Sequence, residues 1–395
     1  MLSRNLVAYL VSRFCSASAM TMLRAAIAWH VFQLTGSAFH LGLIGLVQFA
    51  SGFSLMLVGG AVADAYDRRK IILIAQLVPL ACAAFLFYAT RYDAVHVGLL
   101  YAVVAVIAVA AAFDSPARAA LLPTIVPREI FPRAVTLGAT NQALAFTTGP
   151  AIGGLLIAEG GVSAAYVAYA LLLSGSLVGL LCVRPHGEET TRRAVTLAAI
   201  REGLAFVRRR QVVLGCMLLD MFAVIFAGAT ALLPIYANDI LHVGARGYGL
   251  LSSSLELGAL LSSLFLATRR PIRHGGPVLF GTVTAYGLAT IIFGLSRWFP
   301  LSVAAYMLVG VADQVSVVIR STIIQLSTPD ELRGRVSSVS MIFIGASNQL
   351  GAAESGFVAA LTSAPFAVVS GGIACLLVVA VIVSQMPELR RYRLG

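Results

Sequence analysis

Four acids stand inside apolar stretches of this sequence: Asp220, Glu256, Asp313 and Glu354. Arg13 and Arg24 lie in the first such stretch. An ionisable group in hydrocarbon is costly and usually faces a cavity or a partner. A carboxyl that is neutral in one state and charged in another couples a proton to the movement of something else. Asp313 leads as proton site, with Gln314 beside it; Asp220 and Glu354 follow. For each, the competing reading is a satisfied polar group that holds helices together. Phe222 and Phe226 sit one helical turn apart and, with Arg13, Arg24 and Gln314, are candidates to line a cavity.

The elements that must carry these residues are legible in composition. The chain is 59% hydrophobic and 11% charged, more apolar surface than one soluble core can hide. Twelve apolar runs, each long enough to cross a bilayer as helix, are expected at roughly 6–34, 39–63, 71–90, 95–114, 132–158, 163–183, 212–237, 246–267, 275–296, 300–322, 335–362 and 366–386. Most of the 28 basic residues fall in alternate loops and at the two termini, with only Arg91, Arg246 and Arg297 in the others. That bias places both termini in the cytoplasm of a multi-pass inner-membrane protein. It also explains the net charge of +11 by contact with anionic lipid rather than with nucleic acid. The five cysteines all lie in apolar runs without CxxC spacing and read as core fillers, neither disulfides nor metal ligands.

The chain repeats itself. Arg118 to Glu129 returns, without a gap, as Arg320 to Glu331, 202 residues on (118 to 320). Gly149 to Gly154 matches Gly351 to Gly356 at the same offset. Two such halves in a membrane chain indicate a pseudo-symmetric transporter with its path between them. Residues 1–183 form the first expected bundle, 184–211 a linker, and 212–395 the second. Within the linker, Val195 to Phe206 has apolar residues near helical spacing among arginines, as in an amphipathic helix lying on a membrane surface. There is no P-loop, HExxH, GxSxG or paired Cys/His cluster, so no enzyme, cofactor or metal is expected.

Gly60, Asp64, Asp67, Arg68, Arg69 and Lys70 follow the pattern GxxxD(R/K)xxRR(K), except that Ala65 stands where a base is usual. This resembles the loop signature of the major facilitator superfamily. Gly149, Pro150, Gly153 and Gly154 resemble the antiporter motif of its drug exporters. Asp114 to Arg118, Leu233 to Tyr236, Thr328 to Arg335 and Ser347 to Gly356 are similar to a branch containing the enterobactin exporter and proton-driven drug exporters. The second copy of the loop signature has eroded to Ala267 to Arg270, and Gln349 and Ala352 replace two acids found in several relatives.

The resemblance implies an all-α membrane protein of twelve transmembrane helices in two six-helix bundles. It implies an inner gate of Asp64, Arg68 and Asp114, whose ion pairs break and re-form, and a hinge or tight seal at Gly149, Pro150, Gly153 and Gly154. Glu256 becomes structural, and helices one and seven border the cavity. Arg13 and Asp220 then lie at matching depth, and a contact between them is expected. The implied activity is proton antiport of amphipathic small molecules, drugs or a siderophore-like metabolite, by a monomer whose other partners are protons and membrane lipid. A lysophospholipid transporter and a non-transporting sensor or scaffold are the alternatives.

Overall fold

A computed structural model describes residues 4–183, 197–269 and 272–394; the first part of the linker, 184–196, lies outside the described residues, as do Arg270 and the side chain of Asp64. The elements are α1 (Arg4–Thr35), α2 (Ala38–Ala65), α3 (Arg68–Arg91), α4 (Val97–Ile125), α5 (Phe131–Leu181), α6 (Leu197–Arg209), α7 (Gln211–Ala227), α8 (Leu233–Ile235), α9 (Gly244–Ala267), α10 (Gly275–Leu295), α11 (Phe299–Leu326), α12 (Arg333–Leu361), α13 (Ala364–Gln385) and α14 (Pro387–Arg390). No strand occurs among the described residues. Nine helical stretches among them are long and apolar enough to cross a membrane. Helices dominate because a chain in lipid must satisfy its backbone polar groups internally.

Helix ends follow local chemistry. Asp67 opens α3 by accepting from the amides of Arg69 (2.9 Å) and Lys70 (3.3 Å), the usual work of an N-terminal cap. Ser363 opens α13 through the amide of Phe366 at 3.3 Å. The 51 residues of α5 break at Gly161, whose φ of 71° and ψ of −177° suit glycine; two expected runs lie on either side of it.

The seventh run is not one helix. After Ala227 the chain leaves helical geometry at Gly228 (ψ 93°), makes a 3-10 turn at Thr230–Leu232, then α8, then a wide π turn at Tyr236–Ile240. The hydropathy of the run gave no sign of this. The freed carbonyl of Ala227 accepts from the Tyr286 hydroxyl at 3.4 Å, and Tyr236 donates to Gly294 O at 3.0 Å. Irregular backbone at membrane depth needs such partners.

Packing divides the chain into two units. One comprises residues 1–36, 47–194 and 244–253; the other comprises 37–46, 195–243 and 254–395. In the first, α1 lies along α5, where a buried Ser12–Ser176 hydrogen bond spans 3.0 Å. The start of α9 belongs here too. Gly249 meets Gly154 backbone to backbone, Tyr248 donates to Ala25 O at 3.2 Å and stacks on Trp29 at 5.3 Å, and Arg246 pairs with Glu159. In the second unit, the start of α2 packs on α12 at Gly42 and Gly356. There α9 and α11 touch through Gly258 against Met307 O and Gly310 against Leu255 O, the close approach that small residues permit in lipid. The amphipathic α6 packs on α12 and α7: Val207 is buried, Glu202 pairs with Arg335, and Gly203 lies against the backbone of Arg335 in α12.

Candidate functional site

Asp313 is half-buried in the middle of α11. It lies close enough to Tyr286 of α10 and Tyr306 of α11 for its charge to act on both hydroxyls. The Tyr306 hydroxyl shares a 3.0 Å hydrogen bond with Thr230, in the turn where the seventh run is broken. Behind them Phe293 packs on Tyr306 (4.9 Å) and on Tyr236 (4.6 Å) and holds both rings in place. The result is a carboxyl within electrostatic range of two tyrosines whose hydroxyls bind the discontinuous helix, at Ala227 O and Thr230. Thr230 and Tyr286 were not singled out by the sequence. A threonine and a tyrosine in apolar runs look like ordinary helix packing until the break at Gly228 is known.

Asp220 is buried in α7, and its partner is Arg320 of α11, also buried. Arg13, expected opposite Asp220, donates instead to Gln142 of α5 and, at 3.3 Å, to the Tyr9 hydroxyl. The expected Arg13–Asp220 contact is therefore corrected. Arg320 reaches Asp220 from a helix that packs on α7. A buried carboxylate takes the cation that costs least to bring, and guanidinium geometry fits it.

Of the residues expected at the gate, Arg68 is half-buried at the first position of α3, and Asp114 binds Arg118 one turn along α4 at 2.6 Å. Arg118 also reaches Ser16 of α1 at 3.3 Å, and Tyr9 donates to the Arg118 carbonyl at 3.3 Å. Among the described residues, Asp114 Oδ1 has no hydrogen-bond partner. Arg69, next to Arg68 in the signature motif, closes the end of α5 by donating to Leu180 O (3.2 Å) and Leu181 O (2.6 Å).

Gly149 and Gly153 face α1, where an added Cβ would meet Ser18 O at 2.7 Å and Met22 Cγ at 2.9 Å respectively. Gly154 faces Gly249. The backbone stays helical through Pro150, and the break in α5 comes at Gly161. Phe222 and Phe226 stack at 6.1 Å along α7, both half-buried. Gln314 and Glu354 are half-buried on α11 and α12, and Arg24 is exposed on α1.

Comparison with known proteins agrees with this architecture. The family described as transmembrane secretion effector matches residues 7–393. Enterobactin exporter EntS of Escherichia coli O1:K1 / APEC is 27% identical over 393 residues, 98% of this chain and 92% of its own. The same exporter from Shigella boydii serotype 18 gives the same figures. Among solved structures, a bacterial homolog of the human lysosomal transporter Spinster, inward-facing and occupied, superposes with a TM-score of 0.75 at 13% identity, covering 100% of both chains. The nucleoside transporter NupG gives 0.72 at 12%, covering 96% of this chain and 99% of its own. At such identities the structures speak for the fold alone.

Proposed function

Because the chain belongs to the transmembrane secretion effector family of the major facilitator superfamily, we propose that it exports amphipathic small molecules, drugs or a siderophore-like metabolite, by proton antiport with alternating access. The observation that supports this reading is Asp313 in mid-α11, within electrostatic range of Tyr286 and Tyr306, whose hydroxyls bind Ala227 O and Thr230 at the break after α7. Transporter sites are commonly built where a helix is interrupted. A carboxyl at such a place binds a proton or faces cargo, but not both at full strength, which is the exclusion antiport needs. Asp220, paired with Arg320, and Glu354 are the further proton candidates. Phe222, Phe226 and Gln314 offer apolar and amide surface for cargo, with Arg13 and Arg24 for a cargo that carries negative charge. Asp64, Arg68 and Asp114 are proposed as a cytoplasmic gate, with the spare oxygen of Asp114 as acceptor when Arg68 closes. Both termini are assigned to the cytoplasm, and one chain is taken as the working unit.

The test is exchange in proteoliposomes with and without an imposed pH gradient. An amphipathic cationic dye and an iron-free catecholate siderophore are offered separately. Gradient-driven movement of either by the wild type, lost in Asp313→Asn with normal reconstitution, is the expected result. Intact gradient-driven movement in Asp313→Asn removes that residue from the coupling.

A second reading is lipid transport. An apolar groove of about 520 Å³ opens on the first unit between α2, α3 and α4, lined by Val62, Ile71, Ile74, Val78, Val106 and Phe113. It would seat an acyl chain. Leaflet exchange of a labelled lysophospholipid, unaffected by dye or siderophore, is the outcome that would favour it.

A further inference from the structure

Four helices of the first unit contribute to one buried polar cluster. Ser16 of α1 accepts from Gln76 of α3 at 3.4 Å and from Arg118 of α4 at 3.3 Å. Arg118 also donates to Asp114 Oδ2 at 2.6 Å. Tyr169, in the part of α5 beyond Gly161, lies within electrostatic range of Asp114. Gln76, Arg118 and Tyr169 are only 2%, 8% and 1% exposed. Yet among the described residues Gln76 Oε1, Asp114 Oδ1, Arg118 Nη1 and the Tyr169 hydroxyl have no hydrogen-bond partner. The first three are close together by covalent structure, because each shares a carbon with an atom already in the chain of bonds through Ser16 and Arg118. Turning the Gln76 amide over exchanges its two ends and still leaves one of them unbound. Buried polar atoms seldom stay unbound, and several of them in one place call for a small ligand.

We infer that this cluster is a binding site for buried water, held by Gln76, Arg118, Asp114 and Tyr169. Charge decides the class of ligand. The Asp114–Arg118 pair is neutral as a whole. A small anion would meet the free carboxylate oxygen, and a cation would meet the guanidinium. A neutral molecule that both donates and accepts avoids both penalties. Water accepts from Arg118 Nη1 and donates to Asp114 Oδ1, and the Gln76 amide and the Tyr169 hydroxyl take up its remaining capacity. A buried water makes about three such bonds, so about one or two waters serve these four atoms. Asp114 Oδ1 then has a partner without Arg68. The inference goes beyond the export reading and holds for any cargo.

Tyr166 supplies the control. It is buried one turn before Tyr169 on the same helix, at 0% exposure, but its hydroxyl shares a 2.8 Å hydrogen bond with His30. The first measurement is radiolytic hydroxyl-radical labelling of the purified full chain in detergent, read by mass spectrometry. Radicals generated from a bound water modify the side chain beside it without access from bulk solvent. Tyr169 should be modified several times faster than Tyr166, although both are buried. The second measurement is thermal melting of Tyr169→Phe, which keeps the ring and removes only the hydroxyl. With water bound, that hydroxyl has a partner, and its loss should lower the melting temperature by about 1–3 °C. In a dry site the change removes an unbound polar group and should leave melting unchanged or raise it. Tyr166→Phe breaks a hydrogen bond that is present, and its drop sets the scale for such a loss. Labelling of Tyr169 no faster than that of Tyr166, or melting of Tyr169→Phe at or above the wild type, would overturn the inference. Neither readout depends on transport, so failure of the export reading would leave both outcomes interpretable.

Discussion

At the scale of single residues, the sequence located the costly groups but not their partners. Hydropathy marks Asp220 and Asp313 because a charge interrupts an apolar run, and that signal is local. Pairing depends on which helices meet and on how far an arginine reaches. Arg13 illustrates the difference: its place in α1 was plain, yet it meets Gln142 and Tyr9. Those contacts give Arg13 a measurable share in stability. Arg13→Leu leaves the amide oxygen of Gln142 without that donor and should cost about 1–3 kcal/mol, read as earlier melting in detergent. A variant that melts with the wild type would show that Gln142 finds another donor at no cost. Thr230 and Tyr306 allow a gentler change: Tyr306→Phe keeps the ring against Phe293 and removes only the hydroxyl. It should leave melting within about 1 kcal/mol of the wild type while weakening gradient-driven exchange; unchanged exchange would place the hydroxyl outside the cargo path.

At the scale of elements, helices were legible because a 3.6-residue backbone in lipid has few alternatives, while breaks were not. Gly161 and Gly228 look alike in a hydropathy profile, though one ends a helix at a turn and the other interrupts a run. The amphipathic pattern of α6 was also plain, but the same stripe fits a membrane or a protein face, and here it meets α12 and α7. The Glu202–Arg335 pair is partly exposed, so Glu202→Gln should cost under ~1 kcal/mol. Close helix approach gives the sharper prediction. Gly310→Ala drives a methyl into Leu255 O, whereas Gly281→Ala meets nothing within 4 Å. The first should lose about 1–3 kcal/mol and much of its yield in the membrane; the second should behave as wild type. Equal yields would mean that α9 and α11 separate without penalty.

At the scale of the whole molecule, the repeat was legible and the units of packing were not. Sequence similarity divides the chain near its middle, at the linker. Contacts instead assign residues 244–253 to the first unit and 37–46 to the second. Periodicity cannot report this, because it says which side of a helix is apolar and not which neighbour covers it. The consequence is testable with the chain cut in the linker. Residues 1–194 expressed alone lack the piece that supplies Gly249, Tyr248 and Arg246, and should be degraded faster than the same fragment co-expressed with 195–395. Equal lifetimes would show that the missing piece contributes little.

The same exchange of pieces bears on how such chains recombine. A hybrid joined in the linker to the second half of a relative inherits two borrowed seams, Gly154 against Gly249 and Gly42 against Gly356, where an added Cβ would lie 2.9 Å or less from the facing backbone. Only donors with glycine at the facing position fit without moving a helix. Half-swaps between members of this family should therefore sort by two small residues at the seams, whatever cargo either parent carries.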